Sequence, residues 1–177
     1  MKPLALIGIW ITGILGAAVL GAVTNFANAH ISELYFRNIM RWDDVSHIAR
    51  AIVAQGVFEG LLCGLFLSTI FTVVAGIVSR AQCSFAFGVR YVSGLFLAAF
   101  VCWVIGGILA VALASLSPEF YRHTFIGVPE AVGERLRYAW VGGSSWGVQF
   151  GGIGATFVFI ALFRAAWRQR VEDVSKT

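Results

Sequence analysis

Four long apolar runs, about Leu4–Val23, Ile52–Val78, Val89–Leu116 and Val141–Phe163, divide the chain, and most of its charged residues fall between or beyond them. A helix rising 1.5 Å per residue needs roughly 20 mostly apolar residues to cross a bilayer core of about 30 Å. A membrane β-barrel would instead alternate apolar and polar positions in segments of about ten residues. The pattern therefore predicts an all-α integral membrane protein with four transmembrane helices. It forms a single membrane domain over 1–177.

The polar intervals carry a second pattern. Ser32-Glu33-Leu34-Tyr35-Phe36-Arg37 returns 85 residues later as Ser117-Pro118-Glu119-Phe120-Tyr121-Arg122. Arg50 precedes Gly56, Gly60 and Gly64 as Arg137 precedes Gly143, Gly147 and Gly151, at an offset of 87. Arg80-Ala81 and Arg164-Ala165 close apolar runs at an offset of 84. Three landmarks in the same order predict a tandem duplication of a two-helix unit. Repeat 1 spans about 4–80, repeat 2 about 89–164, and 165–177 forms a basic cytoplasmic tail. An even number of spans per unit gives both copies the same orientation, with a pseudo-twofold axis along the membrane normal.

The two longest connections, Thr24–Arg50 and Ser117–Tyr138, are rich in aromatic and aliphatic residues. Tyr35, Phe36, Trp42, Phe120, Tyr121, Tyr138 and Trp140 suit the membrane–water boundary. Leu34, Ile39, Val45 and Ile48 predict a short interfacial helix. These segments read as ordered outer caps in which the Ser-x-x-aromatic-aromatic-Arg motifs meet.

Composition agrees: 59% of residues are hydrophobic and 12% charged, with a mean hydropathy of +0.83. Lys2, Arg80, Arg90, Arg164, Arg168, Arg170 and Lys176 outnumber the six arginines of the other side by one. The short Arg80–Arg90 loop and the basic tail then favour a multi-pass protein of the inner (plasma) membrane with both termini cytoplasmic. The pI near 9.3 reads as anchoring beside anionic headgroups, not as nucleic-acid binding. Ala27-Asn28-Ala29 imitates a signal-peptide cleavage site. The apolar stretch before it exceeds the usual core of about 7–15 residues, so the first helix is expected to remain.

Candidate chemistry is sparse. Glu59 is the one acid inside an apolar run. It lies 21 residues before Arg80, roughly 31 Å along a helix, so an interfacial ion pair with Arg50 or another loop arginine is favoured over a transport carboxylate. Gln149 must enter the membrane for the fourth helix to span. With Ser68, Thr69, Thr72, Ser145 and Thr156, it reads as interhelical glue unless these residues face one cavity. The two glycine ladders predict close helix packing, within the bundle or against another helix.

Gly143-Ser144-Ser145-Trp146-Gly147 matches the letters of a nucleophile elbow, but that motif joins a strand to a helix. His30, His47 and His123 fall in the outer loops with no metal-ligand spacing, and Cys63, Cys83 and Cys102 form no pairing motif. Neither metal, cofactor nor catalytic group is expected. Two readings remain. One is a non-enzymatic structural or interaction subunit of a membrane assembly, whose glycine stripes and ordered aromatic loops hold helices or partner proteins, itself or other membrane helices among them. The alternative is a small dimeric transporter or channel with a polar path near Glu59 and Gln149, with Asn25 and Asn28 as further candidates.

Overall fold

The computed structural model describes residues 2–175, so Lys176 of the basic tail lies outside it. Six helices follow in order: α1 (Pro3–Ile31), α2 (Glu33–Met40), α3 (Ile48–Ser79), α4 (Phe85–Leu116), α5 (Pro118–Thr124) and α6 (Val132–Ser175). α1, α3, α4 and α6 are long and apolar enough to cross a membrane. Their exteriors carry exposed large hydrophobics such as Leu4, Phe66, Leu97 and Leu109, the pattern of a surface that meets lipid.

The boundaries have local causes. Pro3 occupies the first turn of α1, where its missing N–H has no partner to lose. α3 stops where Arg80 and Ala81 turn left-handed, at φ 49° and 55°, and the Ala81 N–H returns to the Gly76 carbonyl. Ser84 then caps α4, its Oγ accepting from the Phe87 N–H. At the opposite end Ser32 breaks α1 from α2 in an extended conformation, and Pro118 opens α5 after Ser117.

Every long helix runs past its apolar segment. The basic tail continues α6 to Ser175, with the Arg170 guanidinium over the Phe87 ring. The interfacial helix also differs from its expected place. It covers Glu33–Met40, whereas Val45 lies in the turn that follows and Ile48 already opens α3.

The long helices form a square of two hairpins. α1 packs along α3 and α4 along α6, and looser α1–α4 and α3–α6 contacts join the pairs. Apolar packing concentrates at the two ends. At the end bearing Lys2, Arg80 and Arg90, the basic end, Ile9, Phe71, Ala75, Val92 and Phe163 form one core. At the other, capped end, α2 lays Phe36 against Ile48, Ile52 and Val141, while α5 buries Tyr121 against Ala114 and Ala139.

Candidate intramembrane site

The two glycine ladders bring the backbones of each hairpin together. A methyl group on Gly60 would fall on the Ala17 carbonyl and 2.8 Å from the Ala18 Cα, while Gly56 faces the Gly21 carbonyl. Gly64 lies against Ala17 and Ile14. In the second hairpin Gly143 faces the Gly106 carbonyl, Gly147 faces that of Cys102, and Gly151 faces the Cys102 side chain. The ladders thus face α1 and α4, not each other. Gly106, absent from the sequence reading, stands 85 residues after Gly21.

This tight pairing leaves space between the hairpins. A cavity of about 450 Å³ is lined by α1, α3, α4 and α6 between the two packed ends. Most of its wall is apolar. Leu62 and Phe66 of α3 and Ile153 and Phe157 of α6 line it while remaining exposed, so it is a cleft open sideways between those two helices. Gly152 contributes to the opening, because the nearest atom a methyl there would meet is the Leu67 Cδ1 at 3.9 Å.

Polar groups gather toward the capped end. Asn25, Glu59, Ser145 and Gln149 line both this cleft and an adjoining space of about 120 Å³ roofed by Tyr35, Phe36 and Met40. Glu59 Oε1 accepts from Gln55 Nε2 at 2.8 Å, a partner one turn away that the sequence reading missed. Among the described residues no cationic side chain lies within 4.0 Å of Glu59. The expected ion pair with Arg50 is therefore not formed, and Arg50 is exposed on the first turn of α3.

Asn25 is buried and donates to the Ile52 carbonyl at 3.1 Å. Asn28, also buried, accepts from Ser144 Oγ at 3.1 Å, and its Nδ2 lies 3.5 Å from Ser145 Oγ. These contacts tie α1 to α6 across the bundle. Gln149 makes no hydrogen bond among the described residues. The Thr72 hydroxyl, farther along the cleft, is buried without a partner among the described residues, and Ser68 lines the same wall. Thr156 bonds within its own helix to the Gly152 carbonyl, and Thr69 accepts from the Trp10 indole away from the cleft.

Over the polar end, Tyr35 meets Tyr138 with ring centroids 5.0 Å apart. Burial raises the Tyr35 phenol above its ordinary range, and the nearby Glu59 carboxylate raises it further. Burial pushes Tyr121 up to about 12, with Tyr35 adding to the effect. Asn38 of α2 donates to the Gly127 carbonyl at 2.6 Å, joining the two outer connections. Arg37 donates to the Trp42 carbonyl and lies 3.9 Å from Glu33, and Arg122 pairs with Glu130 at 2.9 Å and lies 3.9 Å from Glu119. Ser32 and Ser117 are the joints that open α2 and α5, while Phe120 is exposed.

Other candidates lie apart. Ser144 is buried on α6 and bonded to Asn28, with its motif inside a helix. His30, His47 and His123 are exposed, and no group of three metal-ligating side chains forms among the described residues. Cys63 is exposed, Cys83 buried in the loop before α4, and Cys102 half-buried beside Gly151. Comparison with protein-family models, curated proteins and solved structures gave no match.

Proposed function

We propose that this chain is a small integral membrane transporter that admits its substrate to the cleft between two duplicated hairpins. The observation that carries this reading is the convergence of Asn25, Glu59, Ser145 and Gln149 on one cleft of about 450 Å³. A space of that size is in the range of ligand sites, about 300–1,000 Å³. Ionisable and amide side chains at membrane depth serve function when they face a shared cavity. The reading is non-enzymatic and requires no cofactor. Its setting is the inner (plasma) membrane, with the basic end and both chain termini in the cytoplasm.

Tandem duplication is part of the proposal. Its support is that Gly21 and Gly106 face the first glycines of the two ladders, and that Ala17 and Cys102 face the second, each pair 85 residues apart. The structural-subunit reading has glycine stripes and aromatic outer loops holding helices or partner proteins. Gly56, Gly60, Gly64, Gly143, Gly147 and Gly151 are instead occupied by α1 and α4, so a partner helix would need another surface.

The aromatic contact of Phe71 with Phe163, whose centroids are 5.8 Å apart, closes the basic end and supplies a gate. Transport would require that contact to part while the capped end closes, as alternating access demands. The test is efflux from cells and uptake into proteoliposomes across a panel of labelled amines, acids and neutral solutes. Protein-dependent, saturable movement of one class, lost in Glu59→Gln, is the expected result. Flux equal to that of empty liposomes for every class overturns the reading.

A further inference from the structure

The polarity of the cleft changes along the membrane normal in a way that specifies a ligand. Glu59 lies about 31 Å from Arg80 along α3, close to one hydrocarbon thickness, directly below the roof formed by α2. From there toward the basic end the exposed walls are Leu62 and Phe66 on one side and Ile153 and Phe157 on the other. A molecule entering sideways from the lipid would meet mostly apolar walls, with the Ser68 and Thr72 hydroxyls along them, and one carboxylate at its end.

That carboxylate has an amide neighbour and no cation within 4.0 Å among the described residues. Beside it lie the Gln149 amide, which makes no hydrogen bond among the described residues, and the Ser145 hydroxyl, which accepts from Asn28 Nδ2 at 3.5 Å. A carboxylate at the polar end of an otherwise mostly apolar cleft is complemented by a positive hydrogen-bond donor. We infer that the cleft takes an amphiphile with a primary ammonium headgroup, its head on Glu59 and Gln149 and its alkyl chain between Phe66 and Phe157. This inference names the substrate class of the transport reading and rests on the same cleft. Binding and flux are separable, however. A cleft that binds amines without moving them sinks the transport reading alone, and transport of another class sinks this one.

The experiment is photolabelling of the full chain in phosphatidylcholine nanodiscs. The probes are an alkylamine carrying a diazirine near the chain terminus and the alcohol of equal length, and labelled peptides are mapped by mass spectrometry. The expected amine labelling is saturable and concentrated on 62–70 and 153–157, with lipid-facing Leu97 and Ile108 labelled only in proportion to probe concentration. Glu59→Gln is expected to weaken amine labelling about tenfold and alcohol labelling less than twofold. Phe66→Trp, which narrows the cleft without touching the polar end, should weaken both, so a fold defect in the first variant leaves the idea open to refutation.

Three outcomes of the labelling also overturn it. The first is non-saturable labelling spread evenly over lipid-facing helices, which means bulk lipid fills the cleft. The second is equal loss of amine and alcohol in Glu59→Gln. The third is cross-linking between α3 and α6 of separate molecules in place of probe capture, which means a second copy covers the opening.

Discussion

Gly60 and Gly147 decide how close two helix backbones come, so they are the residues where a single methyl group tells most. At Gly60 the added carbon would meet the main chain of Ala17 and Ala18, which cannot rotate away as a side chain can. Gly60→Ala and Gly147→Ala should each destabilise the bundle by about 1–3 kcal/mol, the usual cost of overpacking. Gly154→Ala is the control, since a methyl there meets nothing within 4 Å. Thermal unfolding in mild detergent checks the contrast. A fall in Tm for all three variants would show that the helices respond to glycine loss in general and not to close approach.

The bond from Ser144 to Asn28 belongs to the same scale. Polar contacts between membrane helices contribute on average about 0.6 kcal/mol in double-mutant cycles, because the separated helices find other partners. A cycle over Asn28→Leu and Ser144→Ala should give a coupling of that order, read from unfolding in the same detergent. Nothing about Asn28 in the sequence disclosed this bond. Its partner lies 116 residues away on a helix whose rotation only the packed bundle fixes.

At the scale of elements, α2 and α5 are caps held by buried aromatic rings. Tyr121 sits nearly inaccessible among Ala114, Ala139 and their neighbours, which favours its neutral form. Its folded pKa is raised, from 10.0 to about 12, so its burial supports the fold fully below pH 10. That support drains away as pH climbs from 10 toward 12. Absorbance at 295 nm should show delayed tyrosine ionisations, of which Tyr121→Phe removes one, and the variant should lose less stability over the same pH range.

Gly127 has φ 69°, and a side chain there would also press on Asn38. Gly127→Ala is therefore expected to loosen the link between the outer connections, seen as faster hydrogen exchange in 33–40 and 118–127. These caps were legible only in part. The aromatic content announced ordered segments, but the expected helix through Val45 was misplaced. Arg41 adopts a left-handed conformation, at φ 56°, that ends α2 early, and no glycine marks that turn.

For the whole molecule, the barrier and the orientation can be tested together. Phe71→Leu keeps an apolar side chain but removes the edge contact with Phe163, so proteoliposomes should leak or transport faster while the protein still folds. An unchanged rate would place the barrier elsewhere. Reporter fusions after Lys2 and after Thr177 should both report the cytoplasmic side. Opposite signals would require an odd number of spans, against the four apolar helices.

What the sequence determined by itself was the long-range order of elements. Apolar length and helix rise dictate four spans, and charge placement separates a basic end from an aromatic one, because both follow from the energetics of one chain against one solvent. It also marked Glu59, Gln149 and the two ladders as unusual. Only the tertiary structure decided what surrounds them. Close approach at Gly60 and Gly147 draws each hairpin tight and leaves the α3–α6 seam open. Whether Glu59 meets an arginine or a cleft depends on how the helices are rotated about their own axes. Those rotations are set by side-chain packing at the two ends of the bundle, and no local pattern along the chain records them.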